Sequence, residues 1–199
     1  MLSAHQLSCA RGDRTLFSGV SFSLGEREWL HVKGSNGAGK TTLLRALVGL
    51  APQQEGTIVW RGEPAPSDAF RRELLYLGHY AAVKEELTPL ENLQQAAAVD
   101  GLALSERDAL AALIRMGLRG REALPVRALS AGQKRRVLLA RLLTRPAKLW
   151  VMDEAFNALD VAAVQLLGEL VQAHLDGGGL AVLTSHQPLP VSGGRELVL

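Results

Sequence analysis

Cysteine is nearly absent: Cys9 is the only one among 199 residues. No intrachain disulfide can form, which fits a reducing compartment. Net charge is scarce as well, at a formal +2, too little by itself to indicate a nucleic-acid binder. Uninterrupted apolar runs of the roughly 18 residues that cross a bilayer are missing. The opening Met1-Leu2-Ser3-Ala4-His5 has no basic region leading into an apolar core, so no signal peptide is expected. Any membrane work must then rely on another chain for the membrane part. Repeats and low-complexity tracts are also lacking. What is there is a globular composition, with 47% hydrophobic residues, and a length that suits one domain able to bury a real core.

Short apolar runs alternate with longer helical patterns. Strands are expected at Trp29–Val32, Thr57–Trp60, Leu74–Leu77, Leu149–Met152 and Leu180–Thr184. Helices are expected at Lys40–Leu50, Pro89–Val99, Glu106–Met116, Gln133–Leu143 and Val161–Leu175. Strands followed by helices argue for an α/β fold with a parallel sheet. The region before Trp60 has more strand character, with turns at Gly12-Asp13 and Gly25-Glu26. Thr88-Pro89-Leu90-Glu91 is a capping box with proline at the first helical position,. The mainly helical span 84–144 reads as a subdomain inserted into the sheet. Ten Lys or Arg residues and one acid lie between Arg115 and Lys148. That stretch reads as a solvated helix face, with nucleic acid, acidic lipid heads or an acidic partner as the sharper alternatives.

Gly34-Ser35-Asn36-Gly37-Ala38-Gly39-Lys40-Thr41 matches G-x-x-x-x-G-K-[ST] between an expected strand and an expected helix. Glycines let successive amides turn inward around phosphate oxygens, and the helix N-terminus favours negative charge. Lys40 is expected on the β- and γ-phosphates, the Thr41 hydroxyl on Mg²⁺, and Thr42 on the α-phosphate side. Downstream, the apolar run Leu149–Met152 ends in Asp153-Glu154. Asp153 suits the Mg²⁺ shell, and Glu154 suits a general base toward the attacking water. Together these predict a Mg²⁺-dependent P-loop nucleoside triphosphatase, a reading that many families share.

Leu129-Ser130-Ala131-Gly132-Gln133 resembles the LSGGQ signature of ATP-binding cassette proteins, and Gln133 stands 20 residues before Asp153. Ser130 and Gln133 also form a capping box for the next helix; the two readings are compatible, because a helix N-terminus presents free amides to a phosphate. The resemblance, which spans essentially the whole chain, implies one cassette over residues 1–199. Its RecA-like parallel core would carry an N-terminal antiparallel β subdomain and the inserted helical subdomain. It implies a homodimer in which Ser130, Gly132 and Gln133 cap the ATP of the opposite subunit. It places His186 as the switch histidine against the γ-phosphate. Asp160 is either a residue of the loop crossing the dimer interface or the N-cap of Val161–Leu175, and both can hold. His5, His31, His79 and His174 are left structural.

Four positions depart from the family text. Ala131 replaces the first signature glycine. Ala155 stands where proline usually follows the glutamate. Tyr80 occupies the glutamine position of the loop that links nucleotide to membrane partner, and a phenol presents no amide oxygen to Mg²⁺. Arg11 stands where an aromatic residue usually stacks on adenine; a guanidinium plane can stack on a base, or it can simply face solvent.

Further phrases resemble one branch, the haem-exporter ATP-binding subunits of the cytochrome c maturation system. They are Arg14–Gly19, Gly34–Arg45, Leu77-Gly78-His79, Leu87–Leu93, Leu129–Arg136 and Thr184–Leu189. The branch implies an ATPase peripheral to the cytoplasmic face of the bacterial inner membrane. It would be held there by integral-membrane subunits of the maturation complex, would contact no nucleic acid, and would power haem delivery to a periplasmic chaperone. Cassette residues do not contact cargo, so an ATPase for another substrate and a nucleotide-gated module with little turnover stay open as alternatives.

Overall fold

The computed structural model describes residues 1–79, 82–185 and 189–199. Contacts between Cα atoms gather Met1–His79, Ala147–Ala155 and Val171–Leu199 into one unit. The intervening helices and Phe156–Leu170 form a second unit.

In chain order the elements are β1 (Leu2–Arg11), β2 (Arg14–Leu24), β3 (Trp29–Lys33), α1 (Lys40–Leu47), β4 (Glu55–Trp60), β5 (Glu63–Pro64), α2 (Asp68–Glu73) and β6 (Leu74–Leu77). Then come α3 (Pro89–Val99), α4 (Glu106–Arg115), α5 (Ala131–Leu139), α6 (Arg141–Thr144), β7 (Leu149–Met152), α7 (Val161–Asp176), β8 (Leu180–Thr184) and β9 (Arg195–Val198).

The first unit holds two sheets. One is antiparallel, ordered β2-β1-β4-β5; the other is parallel, ordered β6-β7-β8-β3-β9. The inner parallel strands are apolar on both faces: every residue of β7 and β8 is buried. That pattern is what a sheet covered on both sides demands. Leu43, Leu44 and Leu47 of α1 join Leu2, Ala4 and Leu7 of β1 and Leu30, Val32, Val151 and Val182 of the parallel sheet in one core cluster. Each such leucine contributes about 1.5–3 kcal/mol on burial.

Several boundaries differ from the sequence expectation. Helix α1 stops at Leu47, not Leu50, because Leu50 N donates to Arg45 O (2.7 Å) and Gly49 N to Ala46 O (3.0 Å), a Schellman stop. The helix expected at Gln133–Leu143 starts at Ala131 and divides at Ala140. Elements β5, α2 and β9 were not anticipated. Ser67 opens α2 by accepting from Phe70 N at 3.2 Å, among prolines that mask a helical pattern. Strand β9 is largely exposed and polar, an edge strand paired to β3.

In the second unit, the Thr88 box is formed: Thr88 N donates to Glu91 Oε2 (2.8 Å) and Glu91 N to Thr88 Oγ1 (3.2 Å). The Thr88 amide, and its hydroxyl donating to the same Glu91 Oε2 at 2.9 Å, hold the Glu91 carboxyl below its usual range,. Part of the basic stretch is consumed here. Arg145 and Arg141 both bind Asp100, at 2.7 and 3.2 Å, and Lys134 pairs with Glu85 at 2.5 Å. Arg115, Arg119, Arg121 and Arg127 face solvent.

The His174 ring stacks on Trp150 with centroids 3.9 Å apart and 6° between planes. Its Nε2 lies 3.1 Å from Leu180 O. Burial pushes its pKa below the ordinary value, partly offset by the backbone carbonyls of Leu180 and Lys148,. The unfolded chain then takes up a proton that the folded chain resists. Stability is therefore full above the unfolded value of about 6.5 and falls as pH drops toward the folded one. We expect the melting temperature to fall between about pH 7.5 and about pH 5.5, and His174→Phe to flatten that slope. An unchanged slope would rule His174 out as its source.

Candidate active site

The carboxyl ends of the parallel strands carry the site, as is usual for open α/β sheets. Strand β3 leads into the glycine loop, β7 into Asp153-Glu154, β6 into Gly78-His79, and β8 ends at Thr184. The registers Val32↔Thr184, Leu183↔Met152 and Met152↔Leu77 bring these ends side by side.

The loop wraps the N-terminus of α1, whose N-cap Gly39 has φ +102°. A Cβ there would lie 3.0 Å from Phe17 and 3.1 Å from Leu16. Both the backbone and the close approach of β2 therefore require glycine. Lys40 is buried and donates to Gly34 O (2.8 Å) and Ser35 O (3.2 Å), so its ammonium lies folded along the loop. Ser35 also accepts at its carbonyl from Ala38 N (3.2 Å), closing the loop as a tight turn.

Thr41 Oγ1 donates to Asp153 Oδ2 at 2.7 Å, although the two lie far apart in sequence. Thr184 Oγ1 donates to Asp153 Oδ1 at 2.7 Å and accepts from Glu154 N at 2.8 Å. Asp153, Glu154 and Thr184 are all buried. Glu154 has φ +53°, a left-handed conformation that costs a non-glycine residue about 1 kcal/mol or more. Ala155 is compatible with it, since a proline at 155 would press residue 154 toward extended backbone. Nearby, burial and the Asp153 charge push the Tyr76 phenol up, against a lesser pull from Arg45.

One open cleft is lined by Arg11, Leu16, Asn36, Gly37, Gly39, Lys40, Thr41, Thr42, His79 and Glu154. Two of these were not anticipated. Leu16 offers an apolar wall beside Arg11, and His79, left structural above, belongs to the cleft. A lone histidine after a strand carried no local signal of that. Among the described residues no group of three His, Cys, Asp or Glu forms a metal cage. The Thr41 hydroxyl and the Asp153 carboxylate, which meet at the strand ends, are a donor set that would fit Mg²⁺, which usually binds one or two carboxylates together with substrate phosphates.

In the second unit, Ser130 caps α5. Gln133 N donates to Ser130 Oγ (3.3 Å) and Ser130 N to Gln133 Oε1 (3.0 Å). Helix geometry leaves the amides of Ala131 and Gly132 without an intrahelical acceptor. A Cβ on Gly132 would lie 2.9 Å from Ala158 O, so the loop through Ala158 rests on the signature turn. Asp160 accepts from Ala163 N at 2.9 Å, the N-cap geometry, and pairs with Arg136. Tyr80 and His186 lie outside the described residues.

Known proteins resemble this chain throughout. The family model described as "ABC transporter" matches residues 17–157. The cytochrome c biogenesis ATP-binding export protein CcmA of Dechloromonas aromatica is 52% identical, covering all of both chains. The protein of that name from Methylococcus capsulatus is 48% identical, covering 96% of this chain and 94% of its own. That of Salmonella typhi is 50% identical, over 96% of this chain and 91% of its own. A putative ABC transporter ATP-binding protein from Pyrococcus furiosus superposes with a TM-score of 0.84 at 22% identity, covering 98% of this chain and 96% of that one. The structure of an ATP-binding subunit of an ABC transporter gives 0.82 at 29% identity, over 94% and 79%. This chain belongs to the ABC transporter ATP-binding family, in its branch of cytochrome c biogenesis export ATPases.

Proposed function

We propose that the whole chain acts as one cassette of a paired ATPase that powers haem delivery to a periplasmic chaperone. Two observations support this. The geometric one is the junction of Thr41, Asp153 and Glu154 at the strand ends, beside Lys40 in one cleft. The second is the 52% identity to a cytochrome c biogenesis export protein.

ATP lies with its phosphates on the glycine loop. Lys40 turns from the loop carbonyls to the β- and γ-oxygens, and Thr42 backs the α-phosphate side. Ser35, Asn36, Gly37, Ala38 and Gly39 supply backbone amides around the phosphates. Thr41 and Asp153 would hold Mg²⁺, which when bound would supply positive charge against the phosphates. Glu154 orients the attacking water and accepts its proton. Arg11 and Leu16 flank the base. Ser130, Gly132 and Gln133 of the second cassette cap the γ-phosphate, with Gly132 offering a free amide at that helix N-terminus; His186 serves as the switch histidine beside Glu154, and Asp160 lies on the loop that crosses between cassettes. Tyr80 takes the glutamine position in the loop that couples nucleotide to the membrane partner.

No helix among the described residues is long and apolar enough to cross a membrane. The kinship to cytochrome c biogenesis export proteins supports a cassette pair that docks on integral-membrane subunits, on the cytoplasmic face of the inner membrane. Affinity purification of the full-length chain from detergent-solubilised membranes tests this. Recovery with membrane proteins of cytochrome c maturation is expected; recovery with an unrelated permease alone would discard the haem assignment and leave the ATPase standing.

A further inference from the structure

Among the polar groups at the strand ends, one hydroxyl ties the metal carboxylate to the catalytic glutamate, and it belongs to neither motif. Thr184 closes β8 and is 1% exposed. A hydroxyl has one proton to give and two lone pairs to accept with. Its proton goes to Asp153 Oδ1 at 2.7 Å, and a lone pair takes the Glu154 amide proton at 2.8 Å. The direction of the relay is therefore fixed: Glu154 N–H to Thr184 O–H to Asp153 carboxylate. Each bond polarises the next in a buried setting.

The other Asp153 oxygen is held by Thr41. Thr41 would also serve Mg²⁺, so Thr184 is an anchor of this carboxylate that is independent of the metal. At Glu154 the same bond acts on the backbone. A non-glycine residue at φ +53° persists only where its surroundings hold it, and the Thr184 hydroxyl grips the amide of that residue. Strand pairing puts the hydroxyl there, because Leu183 lies opposite Met152 in β7. The residue just beyond on the neighbouring strand is then Thr184 beside Asp153.

We infer that Thr184 is a positioning residue for ATP hydrolysis: through its hydroxyl it sets the direction of the Glu154 side chain and the orientation of the Asp153 carboxylate. This rests on the roles given above to Asp153 and Glu154. Misplacing a reacting group by about 1 Å costs roughly 10²-fold in rate, while the metal-free part of ATP binding, carried by the glycine loop, is spared.

The test compares the full-length parent with Thr184→Val, Thr184→Ser and Glu154→Gln. The measurements are single-turnover ATP hydrolysis, affinity for a fluorescent ATP analogue with Mg²⁺ or with EDTA, and melting temperature. Valine keeps the shape and loses both bonds; serine keeps both bonds. Valine is expected to cut the rate constant by about 10- to 100-fold and to shrink the Mg²⁺-dependent part of nucleotide affinity, with EDTA affinity within about threefold of the parent. Serine is expected to recover at least about half of the parent rate. Thr184→Val hydrolysing within about threefold of the parent overturns the proposal. So does loss of EDTA affinity and melting temperature together with rate, which marks a structural role, and so does a serine variant no better than valine. Parent-like hydrolysis by Glu154→Gln would instead overturn the underlying assignment of the site, whatever Thr184 does.

Discussion

Glu154→Gln is expected to slow ATP hydrolysis by about two to three orders of magnitude while leaving nucleotide affinity within about threefold. Glutamine has the shape of glutamate, so the buried seat of this side chain stays filled. The amide hydrogen bond to Thr184 comes from the backbone and survives the change. What is lost is the negative charge that accepts the water proton in the transition state. An interaction made only in the transition state lowers kcat and spares binding. Lys40 and the loop amides, proposed above to hold the phosphates, are untouched. Single-turnover hydrolysis measured beside equilibrium binding separates the two. Equal rates for parent and variant would remove Glu154 as the base and with it the enzymatic reading of this site.

Much of this was legible in the sequence because the physics is local. Phosphate binding needs glycines that free the backbone and a lysine at the helix start, so Gly34–Thr41 announces itself. Strands buried on both faces are apolar throughout, so Leu149–Met152 and Leu180–Thr184 were legible to the residue. Strand β9 was not, since its polar text suits an edge and reads as loop. Helix α2 was hidden by neighbouring prolines, and Gly49 cut α1 short of its apolar pattern. At the site, what stayed illegible depends on distant pairing. A threonine at the end of a strand reads as a β-former; the register of β7 with β8 is what sets its hydroxyl against Asp153. His79 is reached the same way, through the alignment of β6 with β7. Asp160 carried two compatible readings. Its capping bond to Ala163 is observed, and a role across a pair of cassettes needs the second copy.

Gly132→Ala separates the signature from the phosphate loop. On helix propensity alone this substitution in the first turn of α5 would be favourable, by up to about 1 kcal/mol. The backbone of the second unit argues the reverse. The added methyl would meet Ala158 O at 2.9 Å, and that oxygen belongs to main chain whose Ala158 already holds φ +62°. Neither the carbonyl nor the capped helix start can yield cheaply, because Ser130 and Gln133 fix the turn from one side and the Asp160–Arg136 pair fixes the loop from the other. Relief therefore comes from shifting the amides of residues 131 and 132, the groups offered to the γ-phosphate of the opposite cassette. Hydrolysis is expected to fall by about 10- to 100-fold. ATP affinity of the separate chain, set by Lys40 and the glycine loop, is expected to stay within about threefold. Mixing excess Gly132→Ala with Glu154→Gln then gives a sharper readout. A mixed pair joins the intact Glu154 of one chain to the intact signature of the other, so turnover above that of either variant alone is expected. Its absence under conditions where the chains pair would mean that the signature serves its own chain's nucleotide, and the two-chain site would have to be abandoned.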